Sequence, residues 1–464
     1  MSTAKPHARR GAKAQRTRPG GPNRAGSPMR RGAAPPPRRQ SGPRAPFHQH
    51  LIEHAEALVD EVLRFEAPAD MTTSRYFKAN PQLGLRDRGL IAEAVFAVLR
   101  RKLEYAQLAQ SGTGPLSRRM VLLGLADTAG VEPIAGSLDA TERTWLRRVA
   151  TIDRGILAAN TRLNLPEWLR VALAARFGDD ELARIAEVLN RPAPLDLRVN
   201  TMTTTRDEAL TMLRTAGVEA EATPLAPNGI RLAGKPALNA QRIFVEGRIE
   251  VQDEGSQLLA SLVAPKRGEF IVDFCAGAGG KTLALGDLMR STGRLYALDV
   301  SAKRLARLKP RLARSGLSNV HPVQIESERD AKLKRMAGKA DRVLVDAPCS
   351  GLGTLRRNPD LKWRQSAEGV EEIRVKQAAI LRAASTLVKR GGRLVYATCS
   401  LLNEENEQII DAFLAEHPEF EPLSCAHLLE QQGIAIGSGE RMRLWPHVHG
   451  TDGFFAAVFE RRAK

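Results

Sequence analysis

Three cysteines of this chain lie in short motifs whose residue types suit chemistry at a carbon that must be activated covalently. One motif is Asp346-Ala347-Pro348-Cys349-Ser350-Gly351, and fifty positions on comes Thr398-Cys399-Ser400, ending the strand-like run Arg393-Leu394-Val395-Tyr396-Ala397. Upstream of both stands Asp273-Phe274-Cys275-Ala276-Gly277-Ala278-Gly279-Gly280-Lys281-Thr282. A glycine-rich turn between a strand and a helix holds a nucleotide-like cofactor. Thiols at the ends of later strands of the same sheet would face that cofactor. The combination suits methyl transfer to a carbon first activated by a bond to sulfur.

The glycine loop narrows the cofactor. A phosphate-binding loop needs glycine five positions before Gly280-Lys281-Thr282, where Cys275 stands, and the dinucleotide fingerprint needs glycine where Thr282 stands. What remains is a loop without a phosphate cradle, followed about 20 residues on by an acid, Asp299, that can accept both ribose hydroxyls. S-adenosylmethionine, an adenosine without phosphate, fits. The target follows from the later motif. Methylation of an exocyclic amine generally uses Asp or Asn before Pro-Pro and an aromatic, whereas this chain reads Asp346-Ala347-Pro348-Cys349. A thiol is useful where the acceptor carbon is a poor nucleophile, as C5 of cytosine is. Thiolate attack on C6 makes C5 an enamine carbon, and Asp346 is placed to hydrogen-bond the base at N3 or N4. Chemistry alone leaves the nucleophile open between Cys349 and Cys399.

The elements that must position these residues begin near Val263, where strands and helices alternate as in a mainly parallel, doubly wound sheet. Strands are expected at 269–273, 293–299, 320–325, 341–346 and 392–397, with helices from Lys281 to Met289 and Ala302 to Ser315. Asp273, Asp299, Asp346 and Cys399 then share the carboxyl edge, where ligands of such sheets sit. Ahead of the sheet, Leu51, Ala55, Leu58, Val59, Val62 and Leu63 recur on one helical face, and further helical patterns run to about Asn160. Strands at 195–200 and 242–247 around the helix Arg206 to Ala216 predict a small α+β module. The expected fold class is thus α/β, and the expected divisions are 1–46, a disordered basic tail; 47–160, all-α; 161–260, α+β; and 261–464, the catalytic sheet.

The tail carries 12 of the net 18 positive charges and no Asp or Glu, leaving +6 to the rest of the 464 residues. Crowded with Pro and Gly, it reads as an arm gaining RNA affinity by counterion release. No apolar run suffices to span a membrane, and no apolar stretch with a cleavage site follows the basic start. The four cysteines have neither disulfide-framework nor metal-ligand spacing, so no metal is expected and a reduced, cytoplasmic protein is. Cys275 and Cys425 read as packing residues.

Taken together, these motifs resemble the Sun/RsmB-type (RsmB/NOP family) RNA (cytosine-5)-methyltransferases from residue 161 to the end, and the helical region resembles their NusB-like domain. The match extends to Leu197-Arg198-Val199-Asn200, Gln252-Asp253-Glu254-Gly255-Ser256-Gln257, Arg356-Arg357-Asn358-Pro359-Asp360, Glu404-Glu405-Asn406-Glu407 and His449-Gly450-Thr451-Asp452-Gly453-Phe454-Phe455. The resemblance implies a class I (Rossmann-like) methyltransferase sheet, S-adenosylmethionine as cofactor, RNA and foremost ribosomal RNA as partner, and a monomer. It implies Cys399 as nucleophile and Cys349 as the thiol that assists release. Asp346 and Lys281 complete the catalytic set. The cofactor contacts are Cys275, Ala276, Gly277, Ala278, Gly279, Gly280, Lys281, Asp299, Glu326 and Asp346. Two departures stand out: the family loop commonly reads Cys-Ala-Ala-Pro-Gly-Gly-Lys where this chain has Gly277-Ala278, and the acid expected near the adenine falls in Ile325-Glu326-Ser327-Glu328, where Glu326 is assigned. Arg356-Arg357 would by default be a solvated charge run; after a catalytic loop, phosphate contact is the competing expectation. A methyltransferase of the same fold with another acceptor, such as DNA, and a non-catalytic RNA-binding assembly factor are the competing readings. The second would leave both cysteines dispensable.

Overall fold

Six buried apolar residues on one stripe, Leu51 to Val62, wind Gln49–Val62 into a helix against its neighbours. The computed structural model describes residues 49–437 and 439–463, so the basic tail lies outside the described residues. Helices Ala69–Ala79, Leu85–Arg100, Lys102–Ala109, Leu116–Ala129 and Ala140–Ala150 follow. They share one apolar core containing Leu58, Val95, Leu122 and Trp145, which fits the expected NusB-like helical region. Asp139 starts the last of them by accepting a hydrogen bond from the Glu142 amide in a reciprocal capping box. Two more helices, Glu167–Phe177 and Asp179–Leu189, bury Leu169, Leu173 and Ile185 against Leu352, Leu355, Leu401 and Leu402. Those four leucines flank the two cysteine motifs.

A four-stranded antiparallel sheet comes next, built from β1 (Leu195–Val199), β2 (Ala220–Ala222), β3 (Gly229–Leu232) and β4 (Ile249–Val251) in the order β2-β3-β1-β4. Here the sequence reading needs correcting, because residues 242–245 form a short helix rather than a strand. An i,i+4 ion pair between Arg242 and Glu246 supports the turn, and only Ile243 of the helix is buried. The chain then reverses at Gly247, and Ile249–Val251 takes the place beside β1.

The large sheet contains β5 (Phe270–Asp273), β6 (Arg294–Asp299), β7 (Val320–Gln324), β8 (Ala340–Asp346), β9 (Val388–Thr398), β10 (Phe420–Leu423), β11 (Met442–Leu444) and β12 (Phe454–Arg461). Its order is β10-β12-β9-β8-β5-β6-β7, with β11 on β12. The five strands from β7 to β9 are parallel, and β10, β11 and β12 join antiparallel. The chain winds outward from β5 through β6 and β7, then returns to β5's other side with β8. A crevice therefore opens above β5, at the switch point where doubly wound sheets bind ligands.

Candidate active site

The loop after β5 is held open by backbone bonds to its own sheet. Gly277 donates its amide to Asp299 Oδ2 at 2.8 Å, and the amide of Ser301 reaches Asp299 Oδ1 at 2.7 Å. Arg304 adds an ion pair at 2.9 Å. Gly279 takes φ +83°, and a Cβ there would stand 2.2 Å from Leu308, so glycine is required. Gly277 also takes a positive φ, +58°, but an added Cβ there would meet nothing within 4 Å, because the residue lines a cavity of about 400 Å³. Ala278, where the family has proline, lines the same cavity.

That cavity lies at the carboxyl ends of β5, β6, β8 and β9. Its wall includes Cys275, Ala276, Gly277, Ala278, Gly280, Lys281, Asp299, Asp346, Cys349 and Cys399. Beneath it, Asp273 is fully buried; Thr282 Oγ1 donates to its Oδ2 at 2.7 Å, while its Oδ1 has no partner. Burial pushes the Asp273 carboxyl up to about 7. Burial likewise pushes the Cys275 thiol up, as an unreactive packing thiol requires. An adenosine-bearing group fits these residues, with an open glycine face, an acid after β6 and one unspent buried oxygen.

The two thiols of the motifs meet. Cys349 Sγ and Cys399 Sγ are 3.2 Å apart. Lys281 Nζ bonds Asp346 Oδ2 at 2.7 Å and lies 5.6 Å from the ring centroid of Phe454. Burial pulls the Lys281 ammonium down, but the charges of Asp346 and Cys399 outweigh it and the net direction is up. Cys349 is held well above the ordinary thiol range by its hydrogen bond to Cys399, by burial, and by the charges of Cys399 and Glu405.

Three sequence assignments fall elsewhere. Glu326 is exposed and off the cavity wall, its amide bonded to Asp330 Oδ2 at 2.8 Å, and the acid after β7 on that wall is Glu328. Gly279 backs onto Leu308 instead of lining the cavity. Arg356 and Arg357 do not reach outward for phosphate. Arg356 donates to the carbonyl of Gly450 at 3.0 Å, and Arg357 pairs with Asp452 at 2.6 Å and Asp253 at 2.8 Å. Acids absorb the Arg357 charge, while Arg356 is spent on backbone carbonyls. Ser256, Val300, Arg304 and Lys376 also line the cavity and were missed, because none stands in a motif of the catalytic loops. The helix pattern from Ala302 was the one signal that could have found Arg304, one turn beyond Asp299.

A parallel sheet of this order, with a glycine loop over a cavity at its switch point, defines a Rossmann-like methyltransferase. A family model described as 16S rRNA methyltransferase RsmB/F matches residues 260–460, and the RsmF/B ferredoxin-like domain matches 165–239. The ribosomal RNA small subunit methyltransferase B of Klebsiella pneumoniae is 36% identical over 427 residues, covering 90% of this chain and 93% of that one. The crystal structure of PH0851 superposes with a TM-score of 0.73 at 26% identity, over 89% of this chain and 98% of that one. NSun6 from Pyrococcus horikoshii, solved with the S-adenosylmethionine analogue SFG, has a TM-score of 0.57 at 25% identity, over 64% and 98%. The chain belongs to the RsmB/F methyltransferase family, and its cofactor is S-adenosylmethionine. No helix among the described residues is long and apolar enough to cross a membrane.

Proposed function

We propose that this enzyme methylates C5 of a cytosine in small-subunit ribosomal RNA through a covalent bond from Cys399 to C6, which breaks with help from Cys349. The observation that carries the reading is the pair of thiols 3.2 Å apart on the wall of the cofactor cavity, beside the Lys281–Asp346 ion pair. The target class follows from the family and from the name of the Klebsiella relative.

In this mechanism the Cys399 sulfur gives its electron pair to C6, and the C5–C6 π pair moves toward C5. Asp346 accepts a hydrogen bond from the exocyclic amine of the base and holds the ring over the thiol. S-adenosylmethionine, when bound, supplies the methyl group as an electrophile. C5 gives its electron pair to that methyl group; its proton then passes to solvent, the C5–H pair re-forms the C5–C6 double bond, and the C6–Sγ bond breaks with its electrons returning to sulfur. The Cys349 thiol is within hydrogen-bond reach of that departing sulfur.

The two thiols are assigned this way round by the family resemblance of their motifs; the hydrogen bond to Cys399, burial and the Glu405 carboxylate push the Cys349 thiol up. Asp299 bonds the ribose hydroxyls, and Glu328, on the wall with Val300 and Ile325, faces the adenine. The helical region and the four-stranded module contribute the RNA-holding surface.

A denaturing gel after incubation with RNA and S-adenosylmethionine tests this. Cys399→Ala should abolish both transfer and any RNA–protein adduct, while Cys349→Ala should accumulate the adduct because attack proceeds and elimination stalls. A shifted Cys399→Ala beside a free-running Cys349→Ala would invert the assignment.

A further inference from the structure

The motif Glu404-Glu405-Asn406-Glu407 follows the second cysteine but touches neither the cavity nor the base site, and its buried members converge behind the thiols. Glu405 is fully buried, and no described cation pairs with it. Its carboxylate is nevertheless saturated. Oε1 accepts the amide of Ser350 at 2.7 Å and Gln377 Nε2 at 3.1 Å; Oε2 accepts the Ser350 hydroxyl at 2.5 Å and the Ser400 hydroxyl as well.

Ser350 and Ser400 are the residues immediately after Cys349 and Cys399. One carboxylate therefore grips the same position in each cysteine loop. The two hydroxyls also meet each other at 3.3 Å, parallel to the 3.2 Å contact between the sulfurs. Asn406 completes the frame: its Nδ2 donates to the Ser400 carbonyl at 3.0 Å, and its Oδ1 accepts from Thr398 at 2.5 Å. Tyr396 in β9 donates its hydroxyl to the Glu405 carbonyl at 2.7 Å, tying the clamp to the sheet.

Burying an unpaired carboxylate is costly, and a neutral side chain would satisfy ordinary packing here at less cost. What a carboxylate offers is two acceptor oxygens in one plane, able to bind two loops at a fixed separation.

We propose that Glu405 is a positioning residue for the two-thiol site, setting the relative placement of Cys349 and Cys399 through the serine that follows each. The inference rests on the two-thiol reading above. It also explains why each cysteine is followed by a hydroxyl: both serines point into the clamp, away from the chemistry.

The test compares Glu405→Ala, Glu405→Gln and the double variant Ser350→Ala/Ser400→Ala in full-length protein. It measures single-turnover methyl transfer at saturating RNA, calorimetric S-adenosylmethionine affinity, and the RNA concentration dependence. Misplacement of reacting groups by about 1 Å costs about a hundredfold in rate, so Glu405→Ala should lose about that factor in turnover. Cofactor affinity and RNA half-saturation should stay within about threefold, because Asp299 and the glycine loop are untouched.

Glu405→Gln should recover at least about tenfold of the loss, since a carboxamide keeps the shape and the serine hydroxyls can turn to donate or accept. The serine double variant should fall between. Placing Glu405→Ala in the Cys349→Ala background should deplete the trapped adduct. Turnover within threefold of wild type in a folded Glu405→Ala protein would overturn the proposal. Equal collapse of cofactor affinity in the Ala and Gln variants would also overturn it, since that marks a purely structural residue. An absence of adduct in Cys349→Ala alone would instead count against the two-thiol mechanism. The Ala-to-Gln rescue of methyl transfer would still report on Glu405.

Discussion

Replacing Asp299 tests the cofactor side of the site, and the structure sets the size of the effect. The carboxylate is only 2% exposed and already accepts the amides of Gly277 and Ser301, with Arg304 against Oδ1. Oδ1 is engaged by Ser301 and Arg304, so Oδ2, which accepts only the Gly277 amide, retains a lone pair for a ribose hydroxyl. A hydrogen bond to a charged group contributes about 1.5–3 kcal/mol, so losing the ribose contact in Asp299→Ala should weaken S-adenosylmethionine binding by about ten- to a hundredfold. The two released amides push the loss toward the upper end, because Gly277 then has no partner to hold the loop in its binding shape. Asp299→Asn retains one acceptor oxygen and should lose about tenfold. Isothermal calorimetry gives the affinities, and a thermal melt without ligand verifies that each variant is folded. Unchanged affinity in folded Asp299→Ala would refute the assignment. Full affinity in Asp299→Asn would show that the second oxygen and the charge play no part.

Three further outcomes are expected. The native state keeps a proton on Asp273 that the unfolded chain has released, so this contribution is fully present below pH 3.8 and is lost as pH rises through about 7; the interval corresponds to at most about 4 kcal/mol. Asp273→Asn cannot ionise, so its ligand-free melting temperature should gain on wild type between pH 5 and 8, and parallel melting curves would contradict this. Lys281→Met removes the cation 2.7 Å from Asp346 and should lower turnover by about a hundredfold; stopped assays showing wild-type turnover would remove Lys281 from the catalytic set. Deleting residues 1–46, with their 12 cations, should flatten the salt dependence of RNA affinity by about 0.7–0.9 in the log–log slope per lost phosphate contact, with turnover at saturating RNA retained. Equal slopes would leave the tail without a role in binding.

The catalytic sheet was legible because its strands are continuous apolar runs ending in chemistry: β5 ends at Asp273, β6 at Asp299 and β8 at Asp346, as the sequence pattern suggested. Misreadings arose where several structures share one local pattern. The apolar run Ile243-Phe244-Val245 suits a strand, but it is too short for periodicity to separate it from a helical turn, which an exposed Arg242–Glu246 pair accompanies. Arg356-Arg357 looked available for phosphate because the acids that pair with Arg357, Asp253 and Asp452, lie about a hundred residues away on either side. Glu326 and Glu328 both follow β7, and only the turn at Asp330 decides which of them reaches the cavity. The clamp at Glu405 was visible as a motif without a function, since its partners Ser350 and Gln377 belong to other elements.

The meeting of the two thiols has a simple geometric origin. Neighbouring strands run about 4.8 Å apart, and the register pairs Asp346 in β8 with Ala397 in β9. Cys349 stands three residues past the first and Cys399 two past the second, so each thiol leaves the same sheet edge within one strand spacing of the other. Parallel pairing brings the loops together but does not fix them, because both chains have left the hydrogen-bond ladder by then. Cross-loop bonds take over: Gly353 donates its amide to the Cys399 carbonyl at 2.8 Å, and a Cβ on Gly353 would stand 2.2 Å from the Gly453 carbonyl oxygen. Gly453 in turn donates its amide to the Gly353 carbonyl at 2.8 Å. The C-terminal motif is thus laced into the loop of the first cysteine and presents Phe454 beneath Lys281. Sequence elements far apart in the chain converge around one 3.2 Å contact because the strand order β5-β8-β9-β12 makes them neighbours. On the cofactor side the loop is tied by the Gly277 amide to Asp299, while the thiol side is held by bonds among Ser350, Gly353, Ser400, Glu405 and Gly453.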